Sequence, residues 1–500
     1  MALDAFRGQT VDGQINAHLR CFLPAGIWLF GRSSQFMKLA FFRLLLAKLL
    51  VLACLLLSLM AQTAGEPERT TLLNGLRIVL LSKANDSQVL VKLRVHSGAA
   101  FDLEGKAGTI ALLSDILFPD PATREYFTEE MQGQLQVNTD YDAITITMRG
   151  KASEFERIVE ILRNALVSTD LTEPTFTKMR DGRVKIIKDI SISPTTVADR
   201  AIATRLYGDF PYGRPSGGTV ESLERVQRAD LLFARERFLN PNNATLVVIG
   251  GVQRARAMRA LRQLLGVWRK NEQIVPATFR HPIAPDARTL VVNAPNDQSV
   301  EIRLATRGLA RNDRDAAAAS VLAGVARQRW EKQVPDLARS PLFARHEAFL
   351  LPGMFVMGTT VDPLLAGKAL TTARQIIKSL MSTPPTISEL EQARSEVLNE
   401  MNKQLMDPDG VASGWLDMDT YAVTAPVEQI HALNLVSPDD VQRVAKRIFG
   451  EAPLASVVVG NSKVVTAALD GHEKIEVMGA VESPADNKPA KPLSTTRSKP

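Results

Sequence analysis

Along residues 67–270, short apolar runs alternate with amphipathic segments, and their order predicts a mixture of strands and helices. Residues 70–81 read as strand, turn, strand, with Asn74-Gly75 supplying a hairpin-type turn. A strand-like run at 89–99 leads through an acidic turn into 105–118, GKAGTIALLSDILF. There Gly105 and Gly108 break the preceding segment, and Ile110, Leu113 and Leu117 recur at helical spacing, which predicts a short buried helix. An exposed helix follows around 125–132, then strands at 134–140 and 143–150, the second alternating with period two. Residues 153–167 put Phe155, Ile158, Ile161, Leu162 and Leu166 on one side of an amphipathic helix, and 176–190 form the next.

Residues 271–288 carry Pro276, Pro282 and Pro285 and read as a linker. A second round of the same order follows at 289–475: strands at 289–298 and 299–308, a helix at 313–332, a strand at 354–363, and helices at 364–381 and 387–406. It closes with a helix at 439–450 and a strand at 454–461. The chain thus contains one long internal repeat of about 200 residues, not a solenoid of short units. Residues 481–500 hold almost nothing apolar and are expected to be disordered.

The start of the chain has a different pattern. Lys38, Arg43 and Lys48 precede an apolar run over 49–61, and small residues Ala61, Thr63 and Ala64 follow. That is the build of a secretory signal, short for a membrane span. The expectation is a signal peptide over 37–64, with Met37 as the true start and 1–36 an upstream extension. The mature protein would then be periplasmic; if the segment stays uncleaved, it is anchored in the inner membrane.

Composition narrows the class. Of the 500 residues, 45% are apolar and 23% charged, the balance of a globular protein with a substantial core. The net charge of +6 is modest, and no glycine-rich phosphate loop or basic aromatic stripe is present, so nucleic acid is not expected as a partner. The two cysteines, Cys21 and Cys54, both precede the globular part, which excludes cysteine chemistry there. His96, His281, His346, His431 and His472 are scattered, with no i, i+4 pair among them. A serine-hydrolase G-x-S-x-G is also missing.

In its order of elements, the segment 105–118 resembles the start of the pitrilysin/insulinase family of zinc metallopeptidases. There a glycine-flanked helix carries the inverted motif H-x-x-E-H. The resemblance strengthens at 205–251. Tyr212-Gly213-Arg214-Pro215, the pair Gly218-Thr219, and Asn240-Pro241-Asn242-Asn243 before a strand ending at Gly250-Gly251 follow the family's run element by element. The resemblance implies two homologous α+β domains, 67–270 and 289–475, each an antiparallel-rich sheet with helices mainly on one face.

It also implies which positions would hold zinc, and here the chemistry is gone. The motif's two histidines fall on Ala111 and Asp115, and its glutamate, the general base, falls on Ser114. The family's later helix carries two glutamates, the second a metal ligand, at positions that fall on Met179 and Ile186. Zinc catalysis needs nitrogen or carboxylate donors in a set and a base beside the bound water. Ala111 and Ile186 offer no donor, Asp115 alone is one carboxylate, and Ser114 is no base near neutral pH. Active two-part members also use an arginine and a tyrosine from the second half. Their positions fall near Pro335 and on Leu342 or Phe343, and neither residue type is kept; Arg345 and His346 lie nearby as candidate substrate-binding residues.

The function implied is a catalytically inactive subunit. It would form a heterodimer with an active, zinc-bearing family member and complete that partner's chamber for peptide or unfolded protein, with no cofactor of its own. Mitochondrial processing peptidase and the core subunits of the respiratory cytochrome complex are family assemblies of this kind. A stand-alone scaffold or peptide-binding protein, and a peptidase with an atypical metal site, are the alternatives.

Overall fold

The computed structural model describes residues 67–190, 193–272, 279–294, 298–333, 339–450, 453–471 and 474–478. The expected extension, signal segment and C-terminal tail lie outside the described residues. The first half runs β1 (Glu68–Thr71), β2 (Arg77–Ser82), β3 (Gln88–Val95), α1 (Thr109–Ile116), α2 (Pro121–Glu129), β4 (Gln134–Thr139) and β5 (Ile144–Lys151). It continues through α3 (Phe155–Val167), α4 (Glu173–Ile190), α5 (Pro194–Tyr207), α6 (Val220–Arg225), α7 (Arg228–Phe238), β6 (Ala244–Gly250) and α8 (Arg254–Leu265).

The second half repeats the plan with β7 (Thr289–Asn293), β8 (Val300–Arg307), α9 (Ala316–Gln333), β9 (Phe343–Glu347), β10 (Met354–Val361), α10 (Ala366–Ser382) and α11 (Ile387–Met406). It ends with α12 (Pro408–Tyr421), α13 (Pro426–Leu435), α14 (Pro438–Gly450), β11 (Ala455–Gly460), α15 (Ser462–Leu469) and β12 (Ile475–Met478). Each half forms a six-stranded sheet, ordered β1-β2-β6-β3-β5-β4 and β12-β7-β11-β8-β10-β9. Most neighbours are antiparallel; β2–β6, β7–β11 and β7–β12 are parallel. The fold is α+β, as the patterning and the resemblance imply.

The central strands read as nearly unbroken apolar runs because both of their faces are covered. On β2, β3 and β6, Ile78, Leu80, Val91, Leu93, Leu246 and Val248 face the core made with the half's own helices. The alternate residues Val79, Leu90, Val247 and Ile249 pack on Ala412 and Leu416 of α12, a helix of the other half. The converse holds on the second sheet, where Leu290, Val292, Ala305, Val457 and Val459 pack on Ala198, Ile202 and Leu206 of α5. The halves therefore exchange equivalent helices. Each half's own helices cover one face of its sheet, and one helix from the other half covers the second face.

The two exchanged helices dock differently. Under α5 the contact is largely apolar, with Arg303, 1% exposed, paired to Asp199 across it. Under α12 it is charged. Lys92 pairs with Asp409 at 2.9 Å and bonds to Ser413, Arg94 pairs with Asp417, Arg149 with Asp407, and Arg77 with Asp419. His96 sits in the same layer between Thr420 and Thr245, at 3.0 Å from each hydroxyl. Burial pushes its pKa down to about 3, so the ring is neutral there.

Candidate functional site

The helix carrying the motif frame, α1, is fixed at its N-terminus by buried polar contacts. The Gly108 and Ile110 amides donate to the two carboxylate oxygens of Asp102, at 2.6 and 2.9 Å, satisfying otherwise orphaned helix donors. Burial pushes the Asp102 carboxyl up to about 7 despite these bonds. Gly108 and Gly218 both have positive φ, at +91° and +84°, and their backbones meet face to face. A Cβ on Gly218 would lie 2.5 Å from the Ala107 carbonyl oxygen, so this crossing needs glycine. Ser222 Oγ then donates to the same Ala107 oxygen at 2.8 Å. The family-like run at 212–222 thus serves to seat α1.

The motif positions themselves are closed. Ala111 is 2% exposed and Ser114 3% exposed. Ser114 Oγ donates to the Ala111 carbonyl at 2.7 Å and accepts from Thr139 Oγ1 at 2.9 Å, so its hydroxyl is spent on structure. Asp115 is held by Arg183 of α4 in a bidentate pair, Nε to Oδ2 at 2.6 Å and Nη2 to Oδ1 at 2.9 Å. Arg183 Nη2 also donates to the Ala111 carbonyl at 3.2 Å, and Nη1 to the Gly217 carbonyl at 3.4 Å.

The face of α1 between positions 111 and 115 therefore carries a fixed guanidinium, which presents no lone pair and remains charged. The inward residues of α4 are Phe176, Met179, Arg183 and Ile187. Ile186, where the sequence places the third ligand position, points outward at 55% exposed. The α4 side chain that meets α1 is Arg183, which sequence reasoning did not single out. The donor set at this place does not fit a zinc ion. Ala111 supplies only a carbonyl that is already bonded, Asp115 is neutralised, and an added dication would sit beside a guanidinium. Among the described residues no group of three or more His, Cys, Asp or Glu is arranged to hold a metal ion.

The second-half candidates belong to β9 and to its packing. His346 Nε2 accepts from the Leu309 amide at 2.9 Å, and burial pushes its pKa down to about 4. That neutral ring lies over Gly308, where a Cβ would come within 2.9 Å of it. Arg345 is exposed, stacks over the Phe343 ring at 4.4 Å and lies 3.5 Å from Glu347. Among the described residues no hydrogen bond or ion pair joins either residue to α1. Leu342 is buried, and Phe343 lies under both Arg345 and Arg303. Pro335 lies outside the described residues.

Tyr212, which the sequence offers as a turn residue, links the two halves. Its hydroxyl donates to Asp142 at 3.0 Å and accepts from the Leu351 amide at 3.1 Å, while Asp142 also accepts from the Leu350 amide at 2.9 Å. Burial pushes the Asp142 carboxyl up to about 6. Tyr141 and Phe349 pack on the Tyr212 ring at 5.0 and 4.8 Å.

Two family models match successive parts of the chain, and the second match begins within the first half. Residues 77–220 match the family model described as insulinase (peptidase family M16), and residues 225–397 match the one described as the peptidase M16 inactive domain. A Streptomyces coelicolor protein described as an uncharacterized zinc protease is 20% identical over 413 residues, 79% of this chain and 90% of its own length. An Arabidopsis thaliana protein described as a probable mitochondrial-processing peptidase subunit beta is 20% identical over 207 residues; the match spans 40% of this chain and 39% of that relative. A solved protease structure from Helicobacter pylori superposes with a TM-score of 0.73 at 18% identity, over 79% of this chain and 99% of that one, a likeness of fold.

Proposed function

The chain belongs to the insulinase (M16) peptidase family, and from that premise we propose that it is a non-catalytic subunit completing the substrate chamber of a zinc-bearing family partner. One observation carries this reading: the Asp115–Arg183 pair fills the place between the motif positions while the helix and its seating are kept. Hydrolysis by this chain would need a nucleophilic water, a cation to polarise it and a base. Ser114 donates its proton to a carbonyl, and the cation present is a guanidinium with no vacancy for water. What the chain can offer is a shaped surface made of two fused halves. Peptide or unfolded protein is the ligand that such a surface would share with the partner. The name of the Arabidopsis relative, a peptidase subunit, supports a role in a multi-chain assembly.

The apolar run at 49–61 supports export, with the assembly working outside the cytoplasm. The test is to mix the purified chain with a family member from the same cells that retains H-x-x-E-H. Peptide cleavage should rise by about tenfold or more, equivalent to about 1.4 kcal/mol of barrier, and zinc analysis should find the metal in the partner alone. A partner fully active by itself, with no complex by light scattering at micromolar concentration, refutes the subunit role and leaves a stand-alone scaffold. One EDTA-removable zinc per copy of this chain, with cleavage lost on its removal, refutes the non-catalytic role.

A further inference from the structure

Between the first half and the segment 279–283 that follows it, away from the Asp115–Arg183 pair, a cleft of ≈ 590 Å³ opens beside the residues that seat α1. Its wall is aromatic. Phe101 packs on Phe238 at 5.0 Å and on Phe279 at 6.0 Å, and Phe210 packs on Phe279 at 6.0 Å, which joins the rings into one surface. The volume falls in the range of small-ligand sites, about 300–1,000 Å³. Leu103 and Ile283 on the lining are left 47% and 83% exposed.

Set into this apolar wall are three arginines, Arg214, Arg237 and Arg280, and among the described residues none of them forms an ion pair. Arg214 Nη1 donates to the carbonyls of Asp102 and Leu103, and Arg237 lies over the rings of Phe233 and Phe238. Yet the Nε atoms of both Arg214 and Arg237 are buried with no hydrogen-bond partner. A buried, charged donor left unbonded is costly, and these two guanidinium groups border the cleft without a carboxylate counter-ion. The acids nearby do not supply it. Both oxygens of Asp102 are taken by backbone amides, and Glu104 and Asp209 are exposed on the lining without an ion pair.

We propose that this cleft binds a carboxylate carried on an apolar body, the aromatic wall taking the body and the guanidinium groups of Arg214, Arg237 and Arg280 the anion. A peptide ending in an apolar residue and a free aromatic acid share this chemistry. The site is independent of the subunit role, because it needs no partner chain and touches neither Ser114 nor Asp115.

Calorimetric titration of the full chain tests it with three probes: a tetrapeptide ending in phenylalanine, the same peptide as its C-terminal amide, and N-acetylphenylalanine. The free-acid peptide should bind with a Kd below about 1 mM, and the amide about tenfold more weakly. If N-acetylphenylalanine alone binds, the natural ligand is a small acid and the site stands. Arg237→Gln should abolish the preference for acid over amide at an unchanged melting temperature. Should that variant fail to fold, Arg280→Gln, at an exposed position, should weaken the acid several-fold and leave the amide unaffected. Equal binding of acid and amide, no heat from any probe at about 10 mM, or full acid preference in the variant that folds would overturn the proposal.

Discussion

Removing Arg183 tests most directly how α1 is held against α4. Arg183→Ala deletes a bidentate pair to Asp115 and two bonds to the carbonyls of Ala111 and Gly217. Hydrogen bonds to charged groups are worth about 1.5–3 kcal/mol each when well shielded, but exposed pairs are worth about 0–1 kcal/mol. The side chains here are 17% and 29% exposed, between these limits, so the loss should be about 2 kcal/mol. Part of that belongs to the carbonyl bonds and part to the pair. A double-mutant cycle with Asp115→Ala separates them, and the coupling should be about 1 kcal/mol, read by urea unfolding. Coupling should shrink, without vanishing, in 1 M salt because the pair is half-shielded. A coupling below about 0.3 kcal/mol would show that the pair is incidental and would refute the idea that it stands in for a metal's cross-link between α1 and α4.

Three further outcomes follow from the same geometry. Gly218→Ala should destabilise by about 2–4 kcal/mol, combining a positive φ with a Cβ 2.5 Å from the Ala107 oxygen, and hydrogen exchange should be faster in α1; unchanged exchange there would refute the seating role. His346 has its pKa lowered to about 4, so the folded chain binds fewer protons than the unfolded one between about pH 6.5 and pH 4, and stability from this group is lost as pH falls through that window. His346→Gln, which keeps an acceptor for Leu309, should therefore gain about 1–3 kcal/mol relative to wild type on going from pH 7 to pH 4; a constant difference across pH would contradict it. Asp417→Ala should strand Arg94, whose side chain is 10% exposed, and speed exchange in α12 while sparing α5; equal effects on both helices would refute their separate modes of docking.

Much of the fold could be read from spacing. The helical period of Ile110, Leu113 and Leu117 placed α1, and the repeat of strand and helix patterns divided the chain into two like halves. The exchange of α5 and α12 could not be read in this way. An amphipathic pattern says that a face is buried and is silent on which sheet buries it. Helix α12 left little trace at all, because Asp409, Asp417 and Asp419 meet the basic face of the first sheet and look in sequence like solvated charge. The short edge strands β9 and β12 lacked a period long enough to register. Residues 345 and 346 on β9 drew notice for their chemistry, whereas His346 is half-buried and bonded to a backbone amide.

That Ala111 offers no side-chain donor was legible in the sequence, because it depends on atom types alone. The Asp115–Arg183 pair was not legible, since Arg183 lies 68 positions beyond Asp115 and only the packing of α4 on α1 brings them together. A zinc site ties two helices through donors on both, and deleting those donors would leave Asp115 as an uncompensated carboxylate beside a loosened helix. Here the Arg183 guanidinium ties α4 to α1, bonding to the Asp115 carboxylate and to the carbonyl one turn earlier. The seating of α1 through Asp102, Gly108, Gly218 and Ser222 draws nothing from the side chains at the motif positions, so it holds the helix whatever those positions carry.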